Sequence, residues 1–173
     1  QHTDVTGLSA TVFIDKDSKK TLLAIRGTEE DDLRDLLTDL INIRWLGDTM
    51  LQPQYISLKF IVAEWIESGV LPQSFIVTGH SLGGFLAAGL VAEPLIANHI
   101  SHAYLFNAPG MGGFTGSHAA AHAVLNFLGV AASTFDQTKI SNIEAVTGIS
   151  PISGLGFDAA PLIDIIIEDQ MAT

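Results

Sequence analysis

The residues best suited to chemistry are those around Ser81, in the sequence Gly79-His80-Ser81-Leu82-Gly83. An apolar, β-rich run precedes them and a helical run of small residues follows, which is the strand–turn–helix context of a nucleophilic serine. Gly79 and Gly83 leave room for so sharp a turn. The N–H groups at the start of the helix would stabilise an oxyanion forming on a substrate carbonyl. We therefore expect Ser81 to be a nucleophile. The alternative is a glycine-rich β–α turn in another kind of α/β domain.

The composition narrows the classes of partner. The chain has 173 residues, of which 47% are hydrophobic, and this suits one globular domain. Its formal net charge of −11 argues against nucleic acid and against electrostatic docking on anionic membranes, but not against transient insertion of an apolar patch into a lipid interface. Disulfide and thiolate chemistry are excluded because the chain has no cysteine. Since it opens at Gln1, we expect it to begin inside a longer precursor.

The hydrophobic pattern alternates between strands and helices. Two β-rich runs flanking a polar turn predict an N-terminal hairpin, over residues 10–14 and 21–26. Apolar periodicity then predicts helices at 28–41, 54–68, 82–93 and 117–128, and strands at 74–78, 101–108, 139–146 and 162–168. This alternation predicts an α/β fold over residues 1–173, with a mostly parallel sheet covered by helices on both faces. Catalytic groups should gather at the carboxyl ends of its strands.

Two segments that follow the hairpin have further predicted roles. Thr28 follows a strand and has Asp31 three residues later, the pattern of a helix N-cap. The acidic residues 29–32 suit the first turn of that helix, an interpretation that we prefer to metal ligation. Residues 42–53 have no clear period and mix apolar side chains with turn formers, so they form either a packed loop or a flap over an apolar substrate.

Several motifs together resemble the class 3 lipases. They occur in that family's order and spacing, as Ile25-Arg26-Gly27-Thr28, residues 35–40, Ile76 to Gly84 and Phe106-Asn107-Ala108-Pro109-Gly110. The opening, Gly7 to Glu29, is also similar to lipase-like domains of large secreted bacterial proteins of the calcium-binding-repeat type. The resemblance implies an α/β-hydrolase fold, hydrolysis of carboxylic esters, often of lipids, and a secreted or extracellular location within a larger protein.

The resemblance also assigns roles to individual residues. Ser81 would attack the ester, and the oxyanion would be held by the N–H of Leu82 and by the N–H and hydroxyl of Thr28. Gly79, His80 and Gly83 would complete the turn, with His80 packing beside the nucleophile and not acting as its base. Residues 42–53 match the position of the family's lid. No metal or cofactor is predicted.

The remaining members of a catalytic triad depart from the family's pattern. In this fold the acid follows the serine, and the histidine follows the acid. The aligned acid position is Gly148, so Glu144 at the end of a strand is the first substitute and Asp158 in the next loop is the second. No histidine follows His122, so we expect a chain truncated before its catalytic histidine and nearly inactive by itself.

The earlier histidines are poor substitutes for that base. His99 and His102 are predicted to lie on the surface near the start of a strand. His118 and His122 have a spacing that permits metal binding, but no glutamate-containing zinc motif surrounds them.

Two classes of function follow. The first is a serine ester hydrolase that forms an acyl-enzyme intermediate on a neutral lipid or small-molecule ester. The alternative is a lipase-like domain without turnover that binds lipid or a partner. A weaker third option is a thioesterase or acyltransferase that uses the same serine.

Overall fold

The computed structural model describes residues 1–26, 52–108, 136–145 and 162–165. The strands in these ranges are β1 (His2–Thr3), β2 (Ser9–Ile14), β3 (Thr21–Arg26), β4 (Phe75–His80), β5 (Ile100–Phe106), β6 (Ile140–Ala145) and β7 (Leu162–Ile165). The α-helices in them are α1 (Gln52–Glu67) and α2 (Leu82–Ala92). Short 3₁₀-helices, Ala97–His99 and Gln137–Lys139, lead into β5 and β6.

The strands form one sheet in which their spatial order follows the chain order, from β1 to β7. The first three pair antiparallel and β3 to β7 pair parallel, which confirms the predicted N-terminal hairpin and the mostly parallel sheet. The carboxyl ends of the parallel strands therefore meet along one side of the sheet. We call this side the carboxyl edge, and define it by Arg26, His80, Phe106 and Ala145.

The described helices pack on one face of this sheet. Along β4, Phe75, Val77 and Gly79 are buried while Ile76 and Thr78 are half-exposed, because successive strand residues point to opposite faces. Every residue of α2 is buried, and α2 contacts α1, β3, β4 and β5. The predicted helices at 28–41 and 117–128 lie outside the described residues, so helical cover on the other face stays a prediction. No described helix is long and apolar enough to span a bilayer.

Helix α1 holds the carboxyl-terminal end of α2. The Glu93 N–H donates to the Leu90 carbonyl at 3.2 Å, and the carbonyl of Gly89 accepts a hydrogen bond of 2.9 Å from the Tyr55 hydroxyl. Burial, together with the nearby Glu93 carboxylate, raises the pKa of Tyr55 well above its ordinary value, so the phenol stays a donor. The Lys59 ammonium lies 3.1 Å from Glu93 Oε2, an ionic contact without hydrogen-bond alignment.

The N-terminal arm, residues 1–8, is fastened to the start of α1. Asp4 accepts hydrogen bonds from the Ser57 hydroxyl and from the backbone and side chain of Thr6. Gln54 Nε2 donates to the Thr6 carbonyl at 2.9 Å, and His2 Nε2 lies 3.3 Å from Asp4 Oδ2. Burial opposes ionisation of Asp4, but these hydrogen bonds outweigh it and hold the pKa of the carboxyl well below its ordinary value.

We expect Asp4→Ala to lower the free energy of unfolding at neutral pH by about 1–3 kcal/mol, because the donors of Ser57 and Thr6 lose their acceptor. Since the pKa of Asp4 is depressed in the folded state, its stabilisation is complete above the unfolded pKa of about 3.9 and is lost as the pH falls below that value. Urea denaturation of the wild type and the variant should therefore give a difference that shrinks below about pH 4.

Asp17→Ala is the matched control, because Asp17 is exposed in the hairpin turn. It should change stability by less than about 0.5 kcal/mol. A stability difference between Asp4→Ala and wild type that is equally large in strong acid would show that the ionised carboxylate does not fasten the arm.

Candidate active site

Ser81 forms a one-residue turn between β4 and α2, with φ 55° and ψ −128°. A positive φ strains a residue that has a side chain, at a cost on the order of 1–3 kcal/mol. Hydrogen bonds hold the turn from both sides. The Ser81 N–H donates to the Phe106 carbonyl at 2.9 Å, and the Ser81 carbonyl accepts from the N–H groups of Gly84 at 2.9 Å and Phe85 at 3.2 Å. The turn thus depends on both β5 and α2.

The Ser81 hydroxyl is buried and has no hydrogen-bond partner among the described residues. The residue is 2% exposed. Leaving a buried hydroxyl unpaired costs on the order of 1–3 kcal/mol, so such groups in folded proteins call for an explanation. A nucleophile awaiting its substrate and its base is one such explanation.

The start of α2 provides hydrogen-bond donors next to that hydroxyl. Leu82 and Gly83 are in the first turn of α2, where backbone N–H groups have no carbonyl one turn earlier to bond. No acidic side chain lies in this turn, and the Ser81 side chain does not cap it. The positive end of the helix dipole therefore lies beside Ser81 without a side-chain counter-charge from the helix, which favours an anion there.

Two glycines permit the close packing of this turn. A Cβ on Gly79 would lie 2.2 Å from the Gly83 carbonyl oxygen and 2.5 Å from the Gly84 nitrogen, so only glycine fits. Gly83 contributes its backbone to this contact. Gly84 was included in the sequence motif but was assigned no role; a Cβ at this position would lie 2.6 Å from the Cβ of Ala108. The sequence signal for this contact was the pair of consecutive glycines, Gly83-Gly84.

The end of β5 lies beside the serine, as the sequence predicts. Phe106 supplies the carbonyl that binds the Ser81 N–H. Asn107 follows with φ 43°, and its N–H donates to the Ile143 carbonyl of β6 at 2.8 Å. Residues 109–113, predicted to be a loop at this edge, lie outside the described residues.

The described histidines do not provide a base for Ser81. His80 is exposed at the end of β4. His102 was predicted to lie on the surface near the start of a strand; it is the third residue of β5 and is half-buried, with Nε2 2.8 Å from the Ser141 Oγ. It pairs with Ile76, five residues before Ser81, which places it about 16 Å from Ser81 along the sheet. His99 comes earlier still.

Of the two candidate acids, Glu144 has its backbone within the described residues and Asp158 does not. His80, Phe106 and Ile143 are in register, so position 144 is level with Ser81, two strands away. With a strand spacing of about 4.8 Å, the two backbones lie about 10 Å apart at the carboxyl edge. Asp158 and Thr28 lie outside the described residues. Within the described ranges, no three His, Cys, Asp or Glu residues converge as metal ligands would.

We expect Gly84→Ala to lower the free energy of unfolding by about 1–3 kcal/mol, because its methyl group overlaps Ala108 and forces α2 away from β5. The double variant Gly84→Ala with Ala108→Gly removes that overlap. It should recover at least half of the loss, short of all of it because the new Cβ still lies 3.0 Å from the Gly79 carbonyl oxygen. Urea denaturation of the four proteins measures the coupling. If the two substitutions changed the free energy of unfolding additively, Gly84 and Ala108 would not be in contact.

Comparisons with known proteins bear on the fold. No family model matches the sequence, and no curated protein matches it. Among solved structures, the chain is similar to the Lip2 lipase from Yarrowia lipolytica, with a TM-score of 0.55 and 19% sequence identity. The match covers 95% of this chain and 63% of the lipase chain, so this chain spans less than two thirds of that protein. At this identity the likeness is one of fold: the chain has an α/β-hydrolase-like fold of the kind found in that lipase.

Proposed function

We propose that this chain is a serine ester hydrolase domain that works through an acyl-enzyme intermediate on Ser81. The observation that carries the proposal is the Ser81 hydroxyl, buried and unpartnered among the described residues, on a strained turn at the start of α2. Strain of this kind persists only where surrounding contacts enforce it, and it is concentrated at functional sites. The lipase fold of the structural neighbour supports the same reaction class.

The proposed reaction begins when the Ser81 Oγ attacks the ester carbonyl and passes its proton to a base. The carbonyl oxygen, now negative, accepts hydrogen bonds from the N–H of Leu82 and, we propose, from Thr28. Each such donor lowers the barrier by on the order of 3 kcal/mol. The alcohol then leaves with the proton, and water hydrolyses the acyl group from Ser81 by the reverse sequence of proton transfers.

Glu144 remains the first candidate for the acid, with Asp158 second. Position 144 supports this ranking, because its backbone is level with Ser81 at the carboxyl edge. The base is then a histidine from outside the described residues, since His99 and His102 are too far along the sheet. The alternative function, binding of lipid or a partner without turnover, is favoured only by the lack of a base among the described residues.

The proposed substrate is a neutral ester. The formal net charge of −11 repels anionic head groups, and the eight lysines and arginines of the chain are outnumbered by 19 acidic residues. Hydrolysis should therefore depend little on ionic strength.

In a form of the protein that hydrolyses esters, we expect Ser81→Ala to abolish hydrolysis of a p-nitrophenyl ester, since losing a triad nucleophile typically costs on the order of 10⁶ in rate. Ser74→Ala is the control, because Ser74 is exposed just before β4. It should keep wild-type kcat/KM. Covalent labelling by a fluorophosphonate, followed by mass spectrometry, should place the label on Ser81. Full activity in Ser81→Ala would rule out this serine as the nucleophile. A folded protein that contains a base for Ser81 but neither hydrolyses the ester nor takes up the label would favour binding alone.

A second variant at this position tests the strain. We expect Ser81→Gly to be as inactive as Ser81→Ala but more stable by about 1 kcal/mol, because glycine adopts a positive φ without a steric penalty. Urea denaturation compares the two variants. If Ser81→Gly were the less stable of the two, the backbone at Ser81 would not be strained.

A further inference from the structure

We propose that β2 binds an extended, acidic segment of a partner protein, which adds a strand to the sheet along the side of β2 that faces away from β3. Backbone groups on that side pair with no described strand, and the hairpin turn beside them is rich in lysine. This interaction is separate from the proposed ester hydrolysis, because the hairpin turn lies at the opposite edge of the sheet from Ser81.

β2 is longer than the strand that covers it. On one side, β2 pairs with β3 along its whole length. On the other side, β1 pairs only with Ser9 and Ala10. Thr11–Ile14 therefore has no strand beside it on that side among the described residues. We call this segment the open edge of β2.

A hydrogen bond in the hairpin shows which backbone groups of the open edge face outwards. The Asp15 N–H donates to the Lys20 carbonyl at 2.9 Å, so Asp15 bonds across the hairpin. In an antiparallel pair, alternate residues bond across the pair, and the residues between them direct both backbone groups to the other side. Val12 and Ile14 therefore direct their N–H and carbonyl groups away from β3. Each offers a donor and an acceptor to an added strand.

The side chains along the open edge are also accessible. Phe13 is 54% exposed and Ile14 is 62% exposed. They lie on opposite faces of the sheet, because successive residues of a strand alternate. An added strand would cover part of both side chains through cross-strand contacts. The open edge thus combines free main-chain groups with apolar side chains, as do the sheet edges to which extended peptides bind.

The turn beside the open edge is basic in an otherwise acidic chain. Lys16, Lys19 and Lys20 are exposed, and they are three of the eight lysines and arginines in a chain of formal net charge −11. Of the two aspartates in the turn, Asp15 accepts hydrogen bonds from within the turn. Asp17 is exposed, and the three lysines outnumber the aspartates. This turn favours an acidic partner.

The lysines also exclude other kinds of strand. A lysine beside an unpaired strand opposes pairing with an uncharged strand, because the contact would remove the ammonium from water without giving it a partner. An acidic segment supplies that partner. The lysines therefore protect the open edge from indiscriminate pairing and leave it available to a segment that carries carboxylates.

A second copy of the chain fits the open edge less well. β1 already covers Ser9 and Ala10, so two copies of β2 could pair only over Thr11–Ile14. So short a pairing is a small contact, whereas a stable protein interface buries about 800 Å² on each partner. Two copies would also bring together two chains of net charge −11. A separate acidic segment has neither restriction, because it can continue past Ile14 alongside the lysines.

The first test measures binding of a labelled peptide by fluorescence anisotropy. The probe is an acetylated peptide of about eight residues in which glutamate alternates with valine, an extended strand with acidic side chains. The control peptide has lysine in place of glutamate. We expect the acidic peptide to bind and the basic peptide not to bind. The double variant Lys16→Gln with Lys20→Gln should bind the acidic peptide about fivefold more weakly and with less dependence on salt.

A pair of variants at Ile14 separates strand pairing from attraction by charge. Ile14→Pro removes the outward N–H, and the fold should tolerate it because this N–H does not bond to β3. Ile14→Thr is the matched control, since it keeps both the N–H and a β-branched side chain. We expect Ile14→Pro to bind the acidic peptide about tenfold more weakly than Ile14→Thr. Urea denaturation checks that both variants are folded.

Amide hydrogen exchange of the wild type, followed by NMR, tests the same edge without a variant. The amides of Val12 and Ile14 should exchange rapidly in the free chain and slowly with the acidic peptide. The amide of Phe13, directed towards β3, should be protected in both. The proposal would be overturned by no binding of the acidic peptide, by equal binding of the basic peptide, or by equal binding to the two Ile14 variants. Protection of Val12 and Ile14 in the free chain would also overturn it, and a chain that then sediments as a dimer would assign the open edge to a second copy.

Discussion

The close approach of α2 to the end of β4 is the constraint on which the site depends. With hydrogen in place of a side chain at Gly79, the carbonyl of Gly83 can lie where a Cβ would otherwise be. The chain must then reverse within one residue, and this forces the positive φ of Ser81. The strain, on the order of 1–3 kcal/mol, is offset by the hydrogen bonds of the turn at about 1 kcal/mol each and by the complete burial of α2.

The position of Ser81 depends on a series of contacts that begins in the N-terminal arm. Asp4 fastens the N-terminal arm to the first turns of α1. Tyr55 and Lys59 of α1 then contact α2 near its end, through the Gly89 carbonyl and Glu93. At its other end, α2 is bonded to Ser81, and Ser81 to Phe106 of β5. Since α2 is fixed at both ends, its N–H groups keep one position beside the nucleophile, which is what preorganised stabilisation of an oxyanion requires.

Local patterns in the sequence were sufficient for the hairpin, for α1 and for the strand, turn and helix around Ser81, because short-range periodicity and the glycines determine them. The predicted strand at 101–108 is longer than β5 at its carboxyl end. β5 ends at Phe106, because the positive φ of Asn107 ends the strand. The local patterns also missed β1 and the packing of Gly84 against Ala108. Both depend on packing between distant segments, such as Asp4 with Ser57 or Gly84 with Ala108, and no local pattern records such a contact.

The sheet also limits where a base can lie. Ser81 and position 144 are level at the carboxyl edge and about 10 Å apart, with β5 between them. An imidazole with a hydrogen bond of roughly 3 Å on each side spans most of that distance. If Glu144 is the acid, as proposed, the imidazole between it and Ser81 would lie above the end of β5, at Asn107. The chain leaves the strand direction at this residue, with φ 43° and its N–H turned to the Ile143 carbonyl. A ring entering from beyond the carboxyl edge can occupy this position, whereas a residue on the strands below, such as His102, cannot.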